Sequence, residues 1–345
     1  MVGIIAANNI RFSPYIQYYT RILDKLGVSY ELIYPDRMNV EDSFSSTSHV
    51  LSWNKKMPTP LAYYDYSRSV KSVITDRQYK LLIVLTTNNA VYLATWLKKK
   101  YNKKYILDIR DYTHENIPIY FALEKIAVNH SLLNVISSRK FTSFLPSGEY
   151  VVCHNMNPTD SIDTPVINLD KPISIGYVGK GAYLDNCAKI CKKVCSDSRF
   201  RFSFYGISKI PEELETYRQY NNIDFHGLFL PNEKEAIIQN IDILFNVYGN
   251  GKPLLDHALS NKLYDALSYG KPILTSPGTY MSEVAGPYAF DVDFTRESFL
   301  DDMYMWYINL NPETLVSYAR HTLKEFENEG KQTEDIIVST IRDNI

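Results

Sequence analysis

Three titratable side chains crowd into five residues at Asp111, His114 and Glu115. They follow the apolar run at residues 104–109, which reads as a strand, so they stand where an open α/β sheet places its sites. A carboxylate and an imidazole this close in sequence can hold or move the proton of a reacting hydroxyl. The plainer alternative is a loop whose Asp and His cap the next helix. A second stretch, residues 260–276 (SNKLYDALSYGKPILTS), reads as a helix followed by a buried strand. Asn261 is the expected N-cap, Gly270 the helix stop, and Ile273 opens the strand. Amides at that helix start, with Lys262, suit the phosphates of a nucleoside diphosphate, and Leu263 belongs to the helix's apolar side. Asp265, one turn on, suits ribose hydroxyls.

Other candidate groups carry weaker signals. Gly179-Lys180-Gly181 follows a strand at residues 173–178 and is a small basic turn, but it does not spell the dinucleotide fingerprint. Cys187, Cys191 and Cys195 recur every four residues. That spacing matches no zinc or cluster run, so they are expected to pack as one helix face, and no metal site is expected. Asp291-Val292-Asp293 has the spacing of a metal-binding D-x-D but follows the last strands. Residues 96–105 hold five lysines (Lys98, Lys99, Lys100, Lys103, Lys104) among Trp96, Tyr101 and Tyr105. A solvated helix end is the default reading. The sharper one is a patch on an anionic membrane surface, with the aromatics at headgroup level.

The elements that must position these groups alternate. In the first half, strands at 2–8, 29–34, 80–85, 104–109, 133–137 and 150–154 are separated by helices at 14–26, 63–77, 87–100 and 118–129. Residues 36–60, rich in Ser, Pro, Asn and Thr, read as one long loop. Residues 155–171 form a Pro/Asp/Thr/Asn linker, after which the βα alternation restarts. Helices are expected at 211–220, 295–309, 312–329 and 333–342. The pattern predicts an α/β fold of two consecutive Rossmann-like domains whose strand ends face a central cleft. With 345 residues the chain exceeds one ordinary core, and two domains are expected. The boundaries are 1–158 for the first and 159–311 for the second. Helices over 312–345 are expected to pack back across the interface.

The order of these signals is more specific than any one of them. "YVG", "FYG", "HG", a "PNE" helix, "IDILFNV" and "NKLYDALSYGKPIL" succeed one another over residues 172–290. This order resembles the GT-B glycosyltransferases, and within them the GT4-like enzymes of bacterial polysaccharide assembly. Over residues 1–158 only the alternation and "DIRD" are familiar. The resemblance implies a second domain that holds a nucleotide sugar, with UDP the expected nucleotide. Asp265 would take the ribose, backbone at Asn261, Lys262 and Leu263 the diphosphate, and Lys180, beside Gly179, the leaving charge. Turns at Tyr205-Gly206 and Gly227-Leu228 would bracket the base. Where many relatives carry a sugar-contacting Glu, this chain has Asp256 and His257. Asn8, Asn9 and Arg11, in a loop without the usual glycines, together with Glu115, would line the acceptor side. Asp111 or His114 would orient or deprotonate the acceptor. The reaction implied is metal-independent, cofactor-free and retaining, with a lipid-linked saccharide in surface polysaccharide synthesis as the acceptor. Two rival readings share the fold: a nucleotide-sugar 2-epimerase, and a binder without catalysis.

Bulk properties bound these readings. Residues 1–158 carry 19 basic against 12 acidic side chains and residues 159–345 carry 18 against 27, so the two halves face different surroundings. A net charge of −2 and the lack of any helix-turn-helix, RNP or finger pattern argue against nucleic acid as a partner. The start of the chain lacks the pattern of a secretory signal, and no run approaches the apolar length of a membrane span. A cytoplasmic protein, peripheral at the inner face of the membrane, is the expectation.

Overall fold

The computed structural model describes residues 1–10, 13, 15–38, 47–156, 162–167 and 169–345. The chain divides into two compact units. Unit 1 is Met1–Asn155 with Asn328–Ile345, and unit 2 is Met156–Glu327.

In unit 1, strands β1 (Val2–Ile5), β2 (Tyr30–Pro35), β3 (Ser48–Leu51), β4 (Leu81–Leu85), β5 (Tyr105–Ile109), β6 (Leu133–Ile136) and β7 (Val151–Val152) form one sheet, ordered 3-2-1-4-5-6-7. Every pairing is parallel. Helices α1 (Tyr15–Lys25), α2 (Thr59–Arg77), α3 (Thr87–Lys100) and α4 (Pro118–His130) make the connections. Crossovers cover both faces of such a sheet, and so Leu81–Leu85 and Tyr105–Ile109 are buried at every position. The strand order reverses between β1 and β4. Ligands of open α/β sheets bind at the strand C-termini beside such a reversal.

The stretch 36–60 is not all loop. Ser48–Leu51 adds an edge strand to β2, in register from Leu32↔Ser48 to Pro35↔Leu51. The segment is short, and its burial is mostly intermediate, so it lacks the apolar run that marks an inner strand. The expectation at Arg11 lies outside the described residues.

β5 carries a charged residue into this sheet. Asp108 is fully buried. Arg110, two residues on and therefore on the same side of the strand, folds back over it. Its Nε and Nη2 donate to Oδ1 and Oδ2 at 2.5 and 2.7 Å, and the Tyr19 hydroxyl of α1 donates to Oδ2 at 2.6 Å. Arg110 Nη1 donates in turn to the Cys153 carbonyl and to Asn155 Oδ1, both at 2.8 Å. One buried ion pair thus ties β5, α1 and the segment after β7.

Unit 2 repeats the scheme. Strands β8 (Ile173–Val178), β9 (Phe200–Tyr205), β10 (Ile223–Phe225), β11 (Ile243–Phe245), β12 (Ile273–Thr275) and β13 (Ala289–Asp291) form a parallel sheet ordered 10-9-8-11-12-13. Helices α5 (Leu184–Val194), α6 (Glu212–Glu215), α7 (Lys234–Gln239), α8 (Pro253–His257), α9 (Asn261–Ser268), α10 (Tyr280–Ala285) and α11 (Phe299–Ile308) surround it. Cys187 and Cys191 pack in its core with Ile190 and Val194. The helix expected at 211–220 is α6 followed by a 3-10 turn, Thr216–Gln219.

Residues 312–344 are a single helix, α12 (Pro312–Asn344), where two were expected. Gly330 costs an isolated helix about 1 kcal/mol relative to Ala. Tertiary packing outweighs that cost: Leu315, Ala319, Leu323 and Phe326 enter the core of unit 2, and Ile337 and Ile341 enter the core of unit 1.

Removing the carboxylate at residue 108 should leave the Arg110 guanidinium buried and uncompensated. Asp108→Ala is expected to lower stability by about 3–5 kcal/mol, read as a reduced urea midpoint with an unchanged slope. A variant that unfolds like the wild type would show that the pair is not a structural tie.

Candidate functional site

In unit 2 the strand order reverses between β8 and β11, and the predicted donor residues converge there. The Gly179-Lys180-Gly181 turn follows β8. Tyr177, from the strand itself, braces the turn: its hydroxyl accepts from Gly181 N–H at 3.1 Å and donates to the Ala182 carbonyl at 3.0 Å. Beneath the turn lies Lys262 of α9, largely buried. Its Nζ donates to the Tyr248 hydroxyl at 2.5 Å and lies 5.3 and 5.1 Å from the ring centres of Tyr177 and Tyr248. No carboxylate pairs with it among the described residues. Burial therefore depresses its pKa to about 8, against partial support from Asp265.

The start of α9 is arranged differently from the expectation. Ser260, not Asn261, is the N-cap, and Asn261 is the first helical residue. The Ser260 side chain does not cap the helix, because its hydroxyl donates to Asn246 Oδ1 at 2.8 Å; the Leu263 N–H donates to the Ser260 carbonyl at 3.0 Å. Asp265 is held by Lys234 of α7, whose Nζ lies 2.7 Å from its carboxylate, although burial still raises the Asp265 pKa. The tip of β11 is fixed by Asn186 Nδ2, which donates to the Val247 carbonyl at 3.1 Å, and by Ser276 Oγ, which accepts from Gly249 N–H at 2.8 Å.

The two turns expected to bracket a base do meet. Gly206 N–H donates to the Gly227 carbonyl at 2.6 Å, and Gly179 N–H to the Tyr205 carbonyl at 2.9 Å. Gly206 has φ +94°, and a Cβ there would stand 2.6 Å from the Gly179 carbonyl oxygen, so no other residue fits. The Tyr205 ring stacks on His226 at 4.3 Å, nearly parallel, and Leu228 is exposed beside them. Lys180 is exposed.

Asp256 and His257 lie in the short helix α8. The Asp256 carboxylate accepts from Gly251 N–H at 2.9 Å and closes the loop after β11, which is a structural role for that oxygen. His257 is half-buried.

In unit 1, Asp111 and His114 are exposed after β5, and the His114 ring lies edge-on to Tyr120. Glu115 differs from the expectation of a group open to acceptor. It is buried, and its carboxylate accepts from Thr113 N–H at 2.6 Å and Thr113 Oγ1 at 3.0 Å. Thr113 Oγ1 lies 2.8 Å from Tyr120 Oη, which donates to Asn88 Oδ1 at 2.9 Å. Below them, Glu124 of α4 is fully buried, and neither carboxylate oxygen has a hydrogen-bond partner. Burial, reinforced by Glu115, raises its pKa to about 8, so it is mostly protonated at neutral pH. Asn8 is exposed, whereas Asn9 is fully buried: its Nδ2 donates to Asp36 Oδ1 at 2.6 Å, and its Oδ1 accepts from Arg37 N–H at 3.0 Å.

The lysine patch is only partly as expected. Lys98, Lys99, Lys100, Lys103 and Lys104 are exposed. Tyr101 and Tyr105, however, are buried, their hydroxyls donating to the Tyr79 and Ala127 carbonyls, so they do not reach a headgroup layer. Sequence reasoning missed Tyr177, Tyr248, Lys234 and Asn246. Their common signal is position at or just past a strand C-terminus, or on a helix beside it, but the 28 tyrosines of the chain hide it.

Comparison of the whole chain with solved structures finds the same fold. Sucrose-phosphate synthase from Thermosynechococcus elongatus superposes with a TM-score of 0.73 over 99% of both chains, at 10% identity. The lipopolysaccharide outer core galactosyltransferase WaaB gives 0.63 over 96% of this chain and 99% of its own, at 12% identity. An α,α-trehalose 6-phosphate synthase from Burkholderia multivorans gives 0.64 over 99% and 98%, at 7% identity. At these identities the likeness is one of fold, and the fold is that of the GT-B glycosyltransferases, two Rossmann-like units in one chain. No protein-family model matches the sequence, and no curated protein matches it significantly. No described helix is long and apolar enough to cross a membrane.

Two pH dependences follow. Glu124 binds a proton in the folded state up to about pH 8, but only up to its ordinary value when unfolded, so its contribution to stability falls as pH rises through that interval. At pH 7 the cost is on the order of 3 kcal/mol. Glu124→Gln should be more stable than wild type at pH 8 and no more stable at pH 4, by denaturant titration at both. Parallel pH profiles for the two proteins would show that Glu124 is not buried as described. Lys262 carries the opposite sign. Its ammonium is charged but poorly solvated below about pH 8, and that cost fades as pH rises toward the ordinary lysine value. Lys262→Met should therefore gain stability near pH 7 and lose the advantage above pH 10.

Proposed function

We propose that this protein transfers a sugar from a nucleotide-sugar donor to an acceptor hydroxyl. The observation that carries this reading is Lys262: a buried ammonium with no paired carboxylate among the described residues, at a helix start whose N-cap side chain is turned away, at the strand reversal of unit 2. A buried cation whose direct contacts are a phenol and two ring faces, with Asp265 giving only partial support, is unfavourable until an anion joins it. A nucleoside diphosphate meets that need and leaves its nucleoside for the neighbouring groups. Asp265, already oriented by Lys234, would accept hydrogen bonds from ribose hydroxyls. The Tyr205–His226 stack and the turns at Gly206 and Gly227 would hold the base. Lys180, on the turn above, would offset the charge that grows on the departing diphosphate. Two lysines and a helix N-terminus supply this stabilisation without a metal ion.

Unit 1 would bind the acceptor at the C-terminal edge of its sheet, where Asp111 and His114 are exposed. In a retaining reaction they orient the acceptor hydroxyl and no strong base is required. The GT4-like motif order of residues 172–290 supports retention and a polysaccharide-assembly role. A lipid-linked acceptor at an anionic membrane surface fits the positive charge of residues 1–158. Lys98, Lys99, Lys100, Lys103 and Lys104 would contribute there through charge alone.

A thermal-shift screen against UDP-, GDP-, CMP- and dTDP-sugars should single out one nucleotide, with UDP expected. Lys262→Met should lose most of that shift, and the apparent Kd of the nucleoside diphosphate should rise as pH passes about 8. No shift with any nucleotide sugar would overturn the reading. Asp111→Asn and His114→Ala should slow nucleoside diphosphate release at an unchanged donor shift. Isomerisation of the donor with no acceptor present would replace transfer by epimerisation.

A further inference from the structure

Arg37 follows β2 at the same C-terminal sheet edge. Its backbone is pinned by Asn9, whose Oδ1 accepts the Arg37 N–H at 3.0 Å. Its guanidinium carbon lies 3.6 Å from the ring centre of Trp53 and 4.9 Å from that of Tyr63. Trp53 stands edge-on to Tyr63 at 5.0 Å, and Tyr63 stacks on Tyr92 of α3 at 5.4 Å. From it a row of polar contacts leads on through Asn88 and Tyr120 to Thr113, beside the exposed His114.

The guanidinium has its faces satisfied and one edge not. Nε and Nη2 are both buried and neither has a hydrogen-bond partner. No carboxylate pairs with Arg37 among the described residues, and the nearby Asp36 Oδ1 is taken by Asn9 Nδ2 and Met38 N–H. Nε–H and Nη2–H form the side-on fork of a guanidinium, the edge that meets two oxygens of one carboxylate or phosphate at once. Arg110 uses this same edge on Asp108 in this molecule. Arg37 has the same edge, shielded from solvent and without a hydrogen-bond partner among the described residues. Arg cannot shed its proton to escape the cost, and ring faces compensate only part of it.

We infer that Arg37, seated on Trp53 and Tyr63, receives an oxyanion of the acceptor, so that the acceptor is an acidic saccharide bearing a carboxylate or a phosphate. This rests on the sugar-transfer reading, in which unit 1 takes the acceptor. It adds the chemical class of that acceptor and a residue that selects it.

The test is a saccharide array bearing neutral sugars, uronates and sugar phosphates, probed with wild type, Arg37→Gln and Arg37→Lys. Wild type should bind an acidic class at least ten-fold more tightly than its neutral counterparts. The uronate and phosphate spots tell which oxyanion is read. Arg37→Gln should lose that preference, and Arg37→Lys, which keeps the charge but not the fork, should recover only a small part of it. The nucleotide-sugar thermal shift should be unchanged in both variants, which shows that they are folded. Equal binding of acidic and neutral sugars by wild type, no binding of either, or undiminished acidic preference in Arg37→Gln would each overturn the assignment. Absence of a nucleotide shift in wild type marks failure of the donor reading instead, and the array result stands apart from it.

Discussion

Parallel strand pairing is the constraint on which the rest of this structure depends. A parallel sheet needs a crossover for each new strand, and the crossovers cover both faces. The interior then favours apolar side chains and paired polar ones, and an unpaired one such as Glu124 is costly. Chemistry is confined to the C-terminal rim of each sheet, and within the rim to the place where strand order reverses. Both units obey this. In unit 2 the rim gathers Gly179, Lys180, Tyr205, Gly206, Gly227 and the start of α9, residues spread over more than eighty positions of sequence. In unit 1 it gathers Asn9, Arg37, Asn88, Asp111, His114 and Tyr120.

The same confinement explains how buried charges divide. Asp108 and Arg110 are buried and saturate each other, so their work is to hold β5, α1 and the chain after β7 together. Asp256 and Glu115 belong to this structural class too, since their carboxylates close loops on backbone amides. Lys262, Arg37 and Glu124 are different. Each is buried or half-buried with polar capacity that the described protein does not use. For Glu124 the resolution is a proton. For Lys262 and Arg37 the counterpart proposed above is an external anion. Two such cations, one in each unit, fit a reaction in which a diphosphate leaves from one partner and an acidic sugar accepts at the other.

The candidate residues separate along these lines. The glycine turns meet because each follows a strand whose pairing is set by its apolar run, whereas Lys262 and Asp265 come to them on α9, past a loop and the short helix α8. Asn261 misses the cap position by one residue, because Ser260 is engaged by Asn246 across the β11 tip, a contact that no local pattern encodes. Tyr101 and Tyr105 of the lysine patch lie in the core, their hydroxyls bonded to the Tyr79 and Ala127 carbonyls.

Sequence alone determined the alternation of strands and helices, the restart of that alternation in the second half, and the ordered strand-end motifs of residues 172–290. Periodicity and turn residues are local properties, and they survive without knowledge of partners. Tertiary structure decided the edge strand Ser48–Leu51, the unbroken helix Pro312–Asn344 and the fate of each charged group. Whether Glu115 faces solvent or Thr113, whether Asp256 holds a loop, and whether Lys262 and Arg37 find a counter-charge are questions of which remote atoms lie within about 3 Å. Hydrogen bonding and desolvation act over that distance, and residues that close in space were here as far apart as Tyr19 from Asp108.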